Sequence, residues 1–258
     1  MPRIHAPEIE DEPWFPSTLR DALTSFLRVS AERLHIYDRA VPLLQEVLAR
    51  HAQRGGAARI VDLCAGGGGP LTPLLSRLPD VEVVLTDLYP NLQAFDAAEA
   101  LHPGRVRGHR QSVDATAVPG ELQGVRTLFN ALHHFRPEAA RSILADAARQ
   151  RQPIVILEVV ERHPAAFASI GGVPLATLAL APFTRPTPAQ LLFTYVVPVV
   201  PLLTGWDGFA SCLRSYSPAE LAGLVDGLGD DRYRFEHGQT DRALFPPFRM
   251  TWLVGEPA

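Results

Sequence analysis

A short apolar run that breaks into four consecutive glycines constrains this chain more than any other feature in it. Ile60-Val61-Asp62-Leu63-Cys64-Ala65 leads directly into Gly66-Gly67-Gly68-Gly69-Pro70. The run reads as a buried strand. Glycine permits the sharp turn that follows and lets a ligand lie against bare backbone. Open α/β sheets bind ligands at the carboxyl ends of their strands, where this turn stands. The segment LTPLLSRL resumes helical spacing after it, so the predicted unit is strand, glycine turn, helix. Counted from Gly66 and Gly68, the third glycine of a dinucleotide fingerprint would fall at Leu71, which weakens an NAD site.

The pattern of strand followed by helix repeats downstream. VEVVLTD (Val81–Asp87), Arg105–Arg110, GVRTLFN (Gly124–Asn130) and PIVILEVV (Pro153–Val160) read as four further strands. Helical segments from Asn91 to Leu101 and in RPEAARSILADAARQ separate them. Such alternation predicts a mostly parallel sheet covered on both faces. Ahead of it, Ser17-Thr18 reads as the cap of a helix running to Arg33, and a second helix spans roughly Tyr37 to His51. After it, Ser217, Pro218 and Glu220 form a capping box, and RYRFEHG and FRMTWLVG close the chain as a hairpin. The expected fold is α/β, with a Rossmann-like mostly parallel sheet, an antiparallel C-terminal edge strand, N-terminal helices and an apolar lid insertion. We expect one domain over residues 1–258, with a helical cap at 14–54 and a lid at 161–216.

The lid is the anomaly. From Pro164 to Trp206 the sole charge is Arg185. That length could span a bilayer, but Pro174, Pro182, Pro186, Pro188, Pro198 and Pro201 cut it into pieces too short to do so. A buried lid is favoured over a lipid-facing surface. The net charge of −4 gives no basic footprint for nucleic acid. Cys64 and Cys212 are the two cysteines, too few and too far apart for a disulfide framework or a metal cluster, so no metal is expected. A reducing cytoplasm fits, and the acidic, proline-broken start carries no signal-peptide pattern.

Candidate site residues follow from the strand ends. Asp87 ends the second strand, nineteen residues beyond Gly68, and can accept both hydroxyls of a ribose or cap the next helix. Asp114, after the third strand, can accept from an adenine amino group with Ala115 offering its backbone, or simply form a turn. His133 and His134 follow Asn130; His133 is the candidate general base, although the sequence does not decide which of the two faces the site, and the alternative is that both are packed structural residues. WDGFASCLRSY concentrates Trp206, Asp207, Ser211, Arg214 and Tyr216. With Trp14, Tyr37 and Tyr195 it could supply an aromatic cage for a cation, or a packed core with an Asp–Arg pair.

VDLCAGGGGP, LTDLYPN, SVDATAVP and TLFNALHHFRPE resemble the successive motifs of class I S-adenosylmethionine (SAM) dependent methyltransferases. DEPWFPSTLRD, TGWDGFASCLRSYSPAEL and MTWLVGEP resemble a bacterial subgroup of that superfamily. The resemblance implies SAM as cofactor. It assigns Asp62, Cys64, Ala65, Gly66 and Gly68 to the methionine portion, Asp87 to the ribose, Asp114 and Ala115 to the adenine, and Asn130 to the amino group, with Leu88 also in the cofactor-binding set. Tyr37 joins this set. Cys64 stands where the family pattern has its first glycine, which is tolerable if its φ is negative.

The expected activity is methyl transfer to a small apolar or enclosed acceptor, in bacterial secondary metabolism. His133, Asn130, Tyr195, Trp206, Ser211 and Arg214 are the candidate catalytic residues. Positioning and desolvation carry such chemistry. Intramolecular cyclisation of SAM to azetidine-2-carboxylate and methylthioadenosine is the second expectation, and a SAM-binding pseudoenzyme the third. No nucleic-acid partner is expected. The acceptor and the oligomeric state are not legible.

Overall fold

The computed structural model describes residues 1–12, 14–243 and 247–258; Pro13 of the DEPWFP stretch lies outside them. In chain order the elements are α1 (Ser17–Arg33), α2 (Val41–Gln53), β1 (Arg59–Asp62), β2 (Glu82–Leu85), α3 (Leu92–Leu101), β3 (Val106–Gly108), β4 (Val125–Phe129) and α4 (Pro137–Gln150). There follow β5 (Ile154–Glu158), α5 (Pro164–Ile170), α6 (Val173–Leu180), α7 (Pro188–Leu191), α8 (Val199–Arg214), α9 (Pro218–Val225), β6 (Tyr233–Gln239) and β7 (Thr251–Pro257). They form two compact units.

The sheet unit comprises Tyr37–Glu158, Ser217–Thr240 and Met250–Ala258. Its seven strands lie in the order β3-β2-β1-β4-β5-β7-β6. The first five are mutually parallel. The C-terminal hairpin adds the antiparallel edge, β7 pairing with β5 and β6 lying outermost. All five residues of β4 and of β5 are buried, as strands covered on both faces require. Each such Val, Leu or Ile contributes about 1.5–3 kcal/mol on leaving water. β4 also buries a charge. Arg126 and Asp146 of α4 are both 0% exposed and pair at 2.7 Å. At α9 the Ser217 capping box forms as its sequence predicts.

Two local expectations fail. The segment after the glycine turn is a 3-10 helix, Thr72–Arg77, and not an α-helix. Pro73 falls in its first turn, where a missing backbone donor is tolerated. Ser17 does not cap α1: it is the first helical residue, and the cap position falls to Pro16.

The helical unit comprises Met1–Ile36, Val159–Tyr216 and Asp241–Arg249. Its prolines break the apolar stretch into α5, α6, a 3-10 turn (Ala181–Thr184), α7, a π-helical turn (Leu192–Val196) and α8. Phe15, Ala22 and Leu23 pack with Val200, and Ala166 and Ile170 with Cys212. Among the described residues no single helix is long and apolar enough to cross a membrane. Two bent pairs, Pro164–Ile170 with Val173–Thr184 and Pro188–Val196 with Val199–Arg214, pass by length and composition, with bends of 41° and 76°.

Candidate functional site

The parallel strands bring five sequence segments to one edge of the sheet unit. β1 ends at Asp62, which is 1% exposed. Its Oδ1 accepts from the Thr127 hydroxyl of β4 at 2.6 Å. Its Oδ2 is buried and has no hydrogen-bond partner among the described residues. Burial pushes the Asp62 carboxyl up to about 7, against the lowering bond from Thr127 and with a further rise from Asp87. A buried acceptor left open costs free energy unless a donor arrives.

Leu63 donates to Thr127 O at 2.8 Å and Ala65 to Thr86 O at 2.9 Å, so the chain enters the turn between β4 and β2. Gly68 has φ +101°, a conformation that L side chains rarely adopt. A Cβ on Gly69, at φ +63°, would stand 2.7 Å from Asp62 Oδ2. Gly69 therefore lets the loop lie against the open carboxylate oxygen. Cys64 departs from expectation: its φ is +57°, not negative. A non-glycine residue there is strained by about 1–2 kcal/mol. Burial, then the Asp87, Asp62 and Asp114 carboxylates, push its thiol far up, which favours the protonated form.

Asp87, half-buried past the end of β2, accepts from Gly66 N–H at 2.8 Å with Oδ2 and from Tyr89 N–H at 2.9 Å with Oδ1. The helix α3 is capped by Asn91 instead, whose side chain accepts from Ala94 N–H. Asp87 thus ties the glycine turn to the second strand. Leu88 is 44% exposed beside it. Asp114 is exposed, and its Oδ1 accepts from the backbone and hydroxyl of Thr116 at 2.8 and 2.7 Å; Ala115 is buried.

Past β4, Asn130 sits at φ +49° with its N–H donated to Leu157 O at 2.7 Å. Cys64 and Asn130 are thus two left-handed non-glycine residues at the ends of adjacent strands, and backbone strain of this kind collects at functional sites. His133, on the 3-10 turn Leu132–His134, is fully buried. Its Nδ1 lies 2.7 Å from Glu158 Oε2, and Glu158 Oε1 accepts from Leu132 N–H at 2.7 Å. One carboxylate at the end of β5 therefore fixes both the turn and the imidazole. With Nδ1–H donated to it, the neutral ring's lone pair belongs to Nε2. His134 is partly exposed, its ring 4.3 Å from that of His133. Tyr37 is buried edge-on to Phe129 at 5.2 Å, and burial, then Glu158 and Asp62, raise its hydroxyl far above the usual range.

Glu158 and Thr127 are the members that sequence patterns missed. The signal for Glu158 was a carboxylate ending an otherwise apolar buried strand; Thr127 gave none, since β-branched residues are ordinary in strands.

The remaining candidates lie in the helical unit. The Tyr195 hydroxyl donates to Leu178 O at 2.7 Å, and the Trp206 indole to Pro7 O at 3.0 Å. Ser211 donates to Asp207 O at 2.8 Å. Arg214 pairs with Asp11 at 2.6 Å and Glu8 at 3.3 Å, and Asp207 turns to the backbone of Ile9 and Glu10, in place of the Asp–Arg pair expected between them. Trp14 is 70% exposed and lies edge-on to Phe15.

No family model matches the chain. Over 58 residues it is 45% identical to a ribosomal RNA small subunit methyltransferase G of Cupriavidus pinatubonensis, covering 22% of this chain and 24% of that protein. An O-methyltransferase family protein from Burkholderia thailandensis is 20% identical with a TM-score of 0.48, over 89% of this chain and 58% of that one. The plantazolicin methyltransferase BpumL, solved in complex with SAH, is 10% identical with a TM-score of 0.53, over 93% of this chain and 98% of that one. The match thus spans less than two thirds of the length of the first two proteins. With five parallel strands, a C-terminal hairpin that places β7 beside β5, and likeness to BpumL along almost its whole length, the chain has the fold of class I SAM-dependent methyltransferases.

Proposed function

We propose that the chain is a SAM-dependent methyltransferase acting on a small, apolar or enclosed acceptor. The observation that carries this is the buried Oδ2 of Asp62, without a hydrogen-bond partner among the described residues, beneath a turn where Gly69 leaves no room for a Cβ. An ammonium group satisfies such an oxygen, which fits the methionine end of SAM. The Asp87 carboxylate, already oriented by two backbone N–H groups, has lone pairs left for ribose hydroxyls. Gly66, Gly68 and Ala65 give backbone to the same ligand, Asp114, Ala115 and Leu88 border the base and ribose, and Asn130 and Tyr37 flank the amino end. When bound, SAM supplies an electrophilic methyl group on a sulfonium.

His133 takes the acceptor's proton on Nε2, while Glu158 holds the ring and stabilises the imidazolium that forms. The raised Asp62 carboxyl ionises as it receives the ammonium. The full burial of His133 favours a small, enclosed acceptor.

Titration calorimetry with SAM and with SAH tests the cofactor, and expected binding is lost in Asp62→Ala. Incubation with SAM alone, followed by mass spectrometry, tests the reaction. Unchanged SAM until an acceptor is added supports methyl transfer, whereas methylthioadenosine without acceptor would identify cyclisation. No binding of either ligand by folded protein overturns both.

A further inference from the structure

Arg3–Asp11 lies along one helix, α8, through a run of specific bonds. Ile4 N–H donates to Leu213 O at 3.0 Å, and Arg3 Nε to Arg214 O at 2.5 Å. Trp206 donates to Pro7 O, and Arg214 Nε donates to Ala6 O. The short turn Ile9–Asp11 has no side-chain cap of its own. Asp207 supplies one from 198 residues away, its Oδ1 accepting from Ile9 N–H at 2.8 Å and its Oδ2 from Glu10 N–H at 3.3 Å. Arg214 then pairs with Asp11 and Glu8, and the Arg3 guanidinium lies 4.1 Å over the Tyr216 ring.

The chemistry makes these contacts interdependent. Glu8, Asp207 and Arg214 are 0%, 5% and 4% exposed. Removing one partner of a buried charged set leaves the others desolvated and uncompensated, which costs more than the lost bond. Contacts on α8 at 206, 207, 213 and 214 are spread over about two turns, so the segment is gripped along its length and not at one point.

We propose that Arg3–Asp11 is a strap that docks on α8 as one cooperative unit, with Asp207 and Arg214 as its anchors. Asp207 and Arg214 then serve to hold the strap, and Trp206 is oriented by it. This holds whatever chemistry the sheet unit performs.

Hydrogen exchange read by mass spectrometry on the full chain tests it. In the unmodified protein, peptides covering residues 3–11 and 206–214 are protected. In Asp207→Ala, protection across the whole of 3–11 falls at least tenfold, including Ile4, whose own acceptor on Leu213 is untouched. Peptides from β1, β4 and β5 keep their protection. Asp207→Asn, which retains one acceptor oxygen, falls between. If Asp207→Ala does not fold, Trp206→Phe removes the bond to Pro7 while keeping an aromatic ring beside Phe209, and raises exchange over the same segment. Loss of protection confined to Ile9 and Glu10, or exchange of 3–11 at free-peptide rates in the unmodified protein, overturns the strap.

Discussion

Replacing Glu158 by glutamine changes one atom and, on this geometry, reverses a tautomer. The carboxylate is 3% exposed and accepts from Leu132 N–H and His133 Nδ1–H, both at 2.7 Å. Hydrogen bonds to a charged group are worth about 1.5–3 kcal/mol each, neutral ones about 0.5–1.5. In Glu158→Gln the single amide oxygen stays with Leu132, whose backbone can only donate. The amide NH₂ then faces His133 Nδ1, which must shed its proton and accept, so the proton moves to Nε2. Losing charge assistance in two bonds should destabilise the fold by about 1–3 kcal/mol. For a chain of this size that lowers Tm by roughly 3–10 °C. The ¹⁵N shifts of the imidazole should exchange their pattern, from Nδ1–H to Nε2–H. SAM affinity should hold, while turnover falls by about 10²–10⁴-fold, the usual range for a lost general base. An unchanged Tm with an unchanged tautomer would refute the assignment of Glu158 as the partner that orients His133.

Four further outcomes follow from the same edge of the sheet. Because the folded Asp62 carboxyl is raised to about 7 from 3.8, stability is full below pH ~4 and declines as pH rises through 7, by on the order of 4 kcal/mol. Asp62→Asn should remove that slope from a series of denaturant melts, and a slope that persists would place its cause elsewhere. Near pH 6 the unmodified protein should release a proton as SAM binds, measurable by calorimetry in buffers of different ionisation enthalpy, and Asp62→Asn should not. Asp87→Ala removes the oxygens that hold Gly66 and Tyr89, so SAM affinity should fall roughly ten- to a hundred-fold and Tm should fall with it; a loss of affinity with Tm intact would mean the loop does not depend on Asp87. Gly69→Ala adds a left-handed alanine and a Cβ 2.7 Å from Asp62 Oδ2, costing about 1–3 kcal/mol in a thermal melt. A fully stable Gly69→Ala protein would show that the turn is not packed on that carboxylate.

The strands, the glycine turn, the α9 capping box and the proline breaks in the apolar stretch were legible in the chain because each is set by residues within about one turn or one pleat of one another. Apolar runs such as Ile154–Leu157 announce a strand buried on both faces wherever they lie, and Pro174, Pro182 and Pro188 each fall in the first turn of a new helical segment, the one place in a helix where proline is readily tolerated. The tertiary structure decided what depends on partners distant in sequence. That β7 lies beside β5 with β6 outermost is a choice between pairings that the same alternating strands allow equally. That Cys64 takes a left-handed φ is imposed by the turn, since its own preference is the opposite. The fate of each charged side chain is the clearest case. Glu158 finds His133, Arg126 finds Asp146, and Asp207 and Arg214 turn to residues about 200 positions away and not to each other. A carboxylate or guanidinium must be satisfied once buried, but its sequence neighbours do not say by whom; only the folding of the strands and helices around it supplies the donor or the charge.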